Sequence, residues 1–209
     1  MFVGAIDVGK RILDLGCGTV KVEGAIGLDN TDLHGVDIIH DLLLFPYPIQ
    51  DESFDVIYVR NVLEHFDFKQ INDIMNECFR ILISGGLMCI HVPHVFSISA
   101  FIDPTHKSYF TFGSMQFWDL KNPKEYYKII DNNWKVINTK ADVVWFNWKG
   151  YQARKLDKLF SKYLAIRISK AIGDNNNPSL ADRLIMKYNT HYTGILWELQ
   201  KINFMISRT

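Results

Sequence analysis

The chain has 209 residues, of which 48% are apolar, and its 23 acidic side chains are balanced by 23 basic ones. That length and apolar share suit a globular chain able to bury a full core. The charge balance excludes the strongly basic footprint of a nucleic-acid-binding domain, so no nucleic-acid partner is expected. Cys17, Cys78 and Cys89 make no disulfide framework and no Cys-x-x-Cys pair, which fits a reducing compartment and predicts a cytoplasmic location. No apolar run of about 20 residues is present, so no membrane insertion is expected, and no apolar run follows a basic start to mark a secretory signal.

Strand and helix signals alternate from Arg11 to about Val92, which predicts βαβ units and a parallel sheet. The first strand is Ile12 to Leu15, running into Gly16-Cys17-Gly18. Glycines at such a turn let the backbone bend sharply and let a ligand approach the main chain, and ligands of open α/β sheets collect at the strand carboxyl ends. Strands are expected at Ala25 to Leu28, closed by Asp29-Asn30, and at Val36 to Ile39, closed by His40-Asp41. About ten residues separate Gly18 from Asp29, too few for an ordinary crossover of a dozen or more. The first crossover is therefore expected to be a compact loop.

Phe54 to Val59 reads as a fourth strand. Asp67 to Ile83 reads as a helix, with Asp67 as N-cap and an apolar face of Phe68, Ile71, Met75, Cys78, Phe79 and Leu82. Gly85-Gly86 is expected to stop that helix, and Leu87 to Val92 is a fifth strand ended by Pro93. From His94 to Phe117 the texture becomes aromatic and polar. Trp134 to Trp148 reads as a strand pair or long strand, Tyr151 to Ile172 as a helix, Asp174 to Pro178 as a loop and Ile195 to Ile206 as a final strand. Trp145, Phe146, Trp148 and Tyr151 read as core or interface, with a sugar-stacking platform as the sharper alternative.

A dinucleotide fingerprint wants a third glycine where Lys21 stands, and Asp14 in the turn would repel a phosphate and suit a cationic ligand. A nicotinamide-dependent oxidoreductase is therefore the disfavoured class. Leu13-Asp14-Leu15-Gly16-Cys17-Gly18 instead resembles the first motif of class I S-adenosylmethionine-dependent methyltransferases. Ser53-Phe54-Asp55-Val56-Ile57-Tyr58 followed by Asn61-Val62-Leu63-Glu64-His65 resembles their fourth-strand motif. Arg80-Ile81-Leu82 with Gly85-Gly86-Leu87 and Pro93 is similar to their fifth-strand motif, with Ser84 in place of the usual proline. Order and spacing together carry the likeness over roughly the first half of the chain. The short first crossover, His40-Asp41-Leu42, Phe45-Pro46-Tyr47-Pro48 and Asp103-Pro104-Thr105-His106-Lys107 also resemble a group of small methyltransferases found among glycan and polysaccharide biosynthesis proteins.

The resemblance implies an α/β fold. Its sheet is Rossmann-like and seven-stranded, mostly parallel, with the last strand antiparallel and a shortened first crossover. It implies one domain over 1–209, with a cofactor-binding half at 1–93 and a substrate-side half at 94–209 carrying a helical insertion at about 151–190. The implied cofactor is S-adenosyl-L-methionine. Gly16 and Gly18, with Cys17 between them and Asp14 orienting the loop, take its methionine end. Asp29, followed by Asn30, takes the ribose, Asp41 and Leu42 the adenine, and Arg60 and Asn61 the amino-acid end, where Arg60 could meet the carboxylate.

The implied reaction is O-methylation of a small molecule or glycan, nitrogen and carbon acceptors staying open. An oxygen acceptor must lose its proton, and the candidates are His65, His94, Asp103 and His106. A metal set of His91, His94, Asp103 and His106 matches no named zinc spacing, so no metal is assigned. A non-catalytic methyltransferase-like module acting through a protein partner is the alternative, and a homodimer is kept as a candidate partner state.

Overall fold

The computed structural model describes residues 9–121, 133–144 and 192–202. The helix expected at Tyr151 to Ile172, the aromatic group at 145–151 and the loop at 174–178 lie outside the described residues. Seven strands, β1 (Ile12–Leu15), β2 (Ile26–Asp29), β3 (Ile38–Ile39), β4 (Phe54–Arg60), β5 (Leu82–Pro93), β6 (Trp134–Val144) and β7 (Tyr192–Lys201), form one sheet in the order β3-β2-β1-β4-β5-β7-β6. β1 to β5 pair in parallel with one another. β7 runs antiparallel to both β5 and β6. This is the expected fold, and the antiparallel β7 separates it from the dinucleotide-binding sheet of order 3-2-1-4-5-6.

The first crossover is the compact loop that its length requires. Residues 16–25 make turns and bends with no helix, and so do 30–37 between β2 and β3. α1 (Phe68–Ile81) is the long helix among the described residues. Asp67 caps it: its side chain accepts from the Gln70 amide while the Gln70 side chain accepts from the Asp67 amide, a reciprocal box that satisfies two end donors. Ile71, Ile74, Met75, Cys78 and Ile81 are buried against the sheet. Each fully buried Ile or Met there contributes roughly 1.5–3 kcal/mol.

Gly85-Gly86 does not stop α1. The helix ends at Ile81 because Leu82 turns extended, at ψ 142°, and β5 already begins at Leu82, opposite Phe54. The register then shifts so that Leu87 faces Val56, and the glycines form that irregularity inside the strand. Gly85 has φ +76°, a left-handed conformation that glycine adopts readily.

The main core lies on the α1 side of the sheet and takes Leu13, Leu15, Ile57, Val59, Met88, Ile90, Trp197 and Leu199. A smaller cluster on the other face holds Ile12, Ala25, Val56 and Cys89. Asp14 and Arg60 share the second face by alternation along β1 and β4. No helix among the described residues is long and apolar enough to cross a membrane.

Candidate active site

The glycine turn closes β1 tightly. Gly16 and Gly18 have φ of +66° and +52°. A Cβ on Gly16 would stand 2.5 Å from Val62 Cγ2, whereas one on Gly18 would meet nothing within 4 Å. Gly16 thus permits close packing against the turn after β4, and Gly18 leaves an open approach to the main chain. The amides of Gly16 and Cys17 donate to the Leu28 carbonyl at 2.8 and 3.2 Å. The Gly18 amide donates to Asp29 Oδ2 at 2.9 Å, and Asp29 Oδ1 accepts from the Thr31 amide at 3.2 Å. A carboxylate offers about four acceptor positions, so Asp29 can still accept two hydroxyl donors.

Asp14 is buried and organises the crossover. Its Oδ2 accepts from the Val22 amide at 2.8 Å and from Arg60 Nη2 at 2.6 Å, and the same Nη2 donates to the Val20 carbonyl at 2.6 Å. Asp14 Oδ1 and Arg60 Nε are buried without a hydrogen-bond partner, so the pair retains one acceptor and one donor. The Cys17 thiol is pushed up by burial, then by the Asp14 and Asp29 carboxylates, which holds it as an inert thiol.

The other residues expected at the cofactor sit as follows. Asn30 is exposed and its Oδ1 accepts from the Thr31 hydroxyl. Asp41 is exposed, and its Oδ1 accepts from the Leu43 amide at 2.9 Å. Leu42 is 7% exposed and belongs to the main core, its carbonyl held by the Tyr47 hydroxyl at 3.0 Å. The Tyr47 amide in turn donates to Glu77 on α1. Asn61 has φ +53°. Its amide donates to the His91 carbonyl and its Oδ1 meets His91 Nδ1 at 3.0 Å.

A second constellation lies in the 3-10 turn Leu63–His65, whose His65 amide donates to the Val62 carbonyl. Because Val62 packs over Gly16, this turn stands beside the glycine turn. The amides of Lys107 and Ser108 donate to the Glu64 carbonyl at 2.7 and 3.0 Å, clipping the Asp103–Lys107 segment onto it. The His65 and His106 rings meet edge to face at 4.8 Å between centroids.

His65 Nδ1 lies 2.9 Å from Thr105 Oγ1, and Thr105 donates to Asp103 Oδ1 through both its hydroxyl (2.6 Å) and its amide (2.8 Å). His106 Nδ1 lies 2.9 Å from the Ala100 carbonyl. Burial lowers the His65 pKa, followed by His106, with Asp103 opposing. The Thr105 hydroxyl and amide hold the Asp103 carboxyl below its usual range.

The structure therefore brings together three of the four proton-transfer candidates and adds two residues outside that set, Glu64 and Thr105. Glu64 is 1% exposed, with both carboxylate oxygens lacking a hydrogen-bond partner, and burial pushes it up to about 7. Its signal was the Glu-His pair inside the fourth-strand motif, and that of Thr105 its place before His106. His94 stands outside the cluster. It is fully buried, its Nδ1 accepts from the Phe96 amide at 3.1 Å, and its ring packs on Phe96 and Phe112. The metal set of His91, His94, Asp103 and His106 is not assembled: His91 faces Asn61 and His94 faces the core. A cleft of about 500 Å³ is lined by Lys107, the residue after His106 in the chain, by Ser108 and Tyr109, and by Phe68, Phe117 and Trp118.

Residues 13–90 match the family model for a methyltransferase domain. Among solved structures, the fold is similar to a SAM-dependent methyltransferase from Archaeoglobus fulgidus at 14% identity, TM-score 0.52, over 92% of this chain and 86% of that one. It is similar to an S-adenosylmethionine-dependent methyltransferase from Mesorhizobium loti at 12% identity, TM-score 0.51, over 92% and 91%. It also resembles the YcgJ protein of Bacillus subtilis at 17% identity, TM-score 0.50, over 93% of each chain. No curated protein sequence matches the chain significantly.

Sheet order and the matched segment give the chain the fold of class I methyltransferases, with a methyltransferase-domain match over residues 13–90. The cofactor implied by that likeness is S-adenosyl-L-methionine. The residues present fit that molecule. The open face of Gly18 leaves room for a ligand at the main chain. The spare acceptor positions of Asp29 suit a ribose diol, and the orphaned Asp14 Oδ1 and Arg60 Nε suit an ammonium and a carboxylate.

Proposed function

We propose that this enzyme methylates a hydroxyl oxygen of a small molecule or glycan, with the acceptor in the aromatic cleft that Lys107 lines. In this reading Gly16, Gly18, Asp14, Arg60 and Asp29 hold the cofactor, with Asn30, Asp41, Leu42 and Asn61 around it. The whole of 1–209 acts as one catalytic unit. The bound cofactor supplies a methyl group on a sulfonium, an electrophile that needs orientation more than covalent help. The protein's own task is to place the acceptor and dispose of its proton.

The observation that carries the proposal is the tautomer of His65. The Thr105 hydroxyl is committed as a donor to Asp103, so it accepts from His65 Nδ1–H. That leaves Nε2 with its lone pair, the state a proton acceptor requires. A nearby carboxylate and a second imidazole complete a cluster able to draw a proton from a hydroxyl. The cleft favours a sugar or another ring: Tyr109, Phe117 and Trp118 offer apolar faces, the Lys107 ammonium offers a donor, and the Ser108 hydroxyl, whose proton goes to the Phe66 carbonyl, offers an acceptor.

The test is turnover against hydroxyl-bearing acceptors, read as release of S-adenosylhomocysteine. His65→Ala is expected to lower kcat by about 100-fold or more and to leave S-adenosylhomocysteine affinity unchanged. Turnover on amine acceptors alone, or full activity of His65→Ala, contradicts the reading.

A further inference from the structure

Glu64, His65 and His106 each offer one ligand atom, and the three atoms lie within 4.8 Å of one another. Two features of this triad go beyond proximity. Both oxygens of the buried Glu64 carboxylate lack a hydrogen-bond partner, a costly state for an acidic group and one that a cation relieves. Both imidazoles are also oriented from behind. Ala100 presents a carbonyl, which can only accept, so His106 Nδ1 is the donor. Thr105 fixes His65 in the same sense, because its hydroxyl proton is spent on Asp103. Each ring therefore keeps Nε2 as a lone-pair donor. A ring N–H given to an oxygen behind the imidazole is the arrangement found behind metal-bound histidines.

We propose that Glu64, His65 and His106 hold a divalent transition-metal ion of the zinc type, with an open coordination position facing the acceptor. Two imidazoles and one carboxylate suit zinc or its first-row neighbours, whereas magnesium and calcium take oxygen ligands. Tetrahedral zinc with bonds of about 2.0–2.1 Å spaces its ligand atoms by about 3.4 Å, so side-chain rotations of roughly 1 Å or a little more close the cage. Three protein ligands leave the fourth position for an oxygen.

The role of the ion rests on the O-methylation reading above. A hydroxyl bound at the fourth position is more acidic than a free one. With the ion bound, the His65 Nε2 lone pair is a ligand and no longer takes the proton itself, so the proton of the bound hydroxyl passes to bulk water at the half-buried edge of the cluster. The acceptor oxygen forms its bond to the methyl carbon as the carbon–sulfur bond breaks, and the electron pair of that bond stays on sulfur. The ion changes neither charge nor oxidation state.

The experiment uses the untagged full chain, stripped with a chelator and dialysed. Zinc chloride is titrated calorimetrically, and cobalt chloride by its visible absorption. The expected result is one site per chain, weakened at least 100-fold in both Glu64→Gln and His106→Gln. Thr105→Val should weaken it about tenfold and Thr105→Ser should restore it. A folded wild-type chain that takes up neither ion stoichiometrically overturns the site, as does binding indifferent to both ligand variants.

S-adenosylhomocysteine affinity of the stripped chain is measured alongside and should be unchanged. Turnover on a hydroxyl acceptor that survives stripping would overturn the ion's role while leaving the O-methylation reading intact. Metal binding without any hydroxyl methylation would instead overturn that reading and the ion's role with it.

Discussion

Two carboxylates lie buried beside the sheet's carboxyl edge, Asp14 at the end of β1 and Glu64 in the turn after β4, and their surroundings differ. Asp14 has a guanidinium at 2.6 Å and a backbone amide at 2.8 Å, and through them it pins the crossover loop. Glu64 has two imidazole nitrogens within 4.8 Å, and neither of its oxygens has a hydrogen-bond partner in another residue. The first carboxylate is largely satisfied by the chain itself, so its effect is to shape a binding loop. The second is left for something the chain does not supply. A paired buried charge organises structure, whereas an unpaired one marks a place where a ligand or proton completes the fold.

The sharpest way to break this contrast is Asp14→Ala. It strands a partly buried Arg60 and the Val22 amide, and the loss of stability is expected to be about 3 kcal/mol or more in urea unfolding at pH 7. A loss under about 1 kcal/mol would class the pair with surface ion pairs.

The counterpart is Glu64→Gln in chelated protein. Because folding raises the Glu64 pKa from 4.5 to about 7, its contribution is fully present below pH 4.5. It is lost as the pH rises through 7. Wild-type stability should therefore fall across that window, by up to roughly 3 kcal/mol. Glu64→Gln should remove the decline, gaining stability at pH 8 and changing little at pH 4. Unfolding curves at both pH values check this, and an unchanged decline in the variant would contradict it.

A smaller effect is expected at Thr105, which acts by positioning His65. Thr105→Val should lower kcat about tenfold with KM unchanged, and Thr105→Ser should recover it; equal defects in both would point to packing instead. Smallest is Gly18→Ala, where φ of +52° costs about 1 kcal/mol. There is room for the methyl group, so thermal unfolding should shift only slightly while cofactor affinity falls as the methyl intrudes on the open face.

The two sites were legible in the sequence to different degrees. The glycine turn is legible from the spacing of Gly16 and Gly18, which local backbone geometry requires, and Asp29 from its place in the motif that the resemblance supplies. α1 was legible from its 3.6-residue period and the Asp67 cap. Its end was misplaced because Gly85-Gly86 serves a register shift within β5, and that depends on β4 lying alongside. The Asp14–Arg60 pair joins neighbouring strands through a register that no local pattern encodes. Glu64 could be read only as part of a motif, since its isolation comes from the Asp103–Lys107 segment folding over the turn. His94 had the same residue type and a neighbouring position, yet the packing of Phe96 and Phe112 sets it in the core.

The most direct test of the central claim is calorimetric titration of S-adenosylhomocysteine into the wild-type chain and Asp29→Ala. The account predicts one site per wild-type chain and an affinity lowered about 100-fold in the variant, the loss expected when a carboxylate that accepts two ribose hydroxyls is removed. A folded wild-type protein that releases or absorbs no binding heat at any temperature tested, or an Asp29→Ala variant that binds as tightly as wild type, would contradict it.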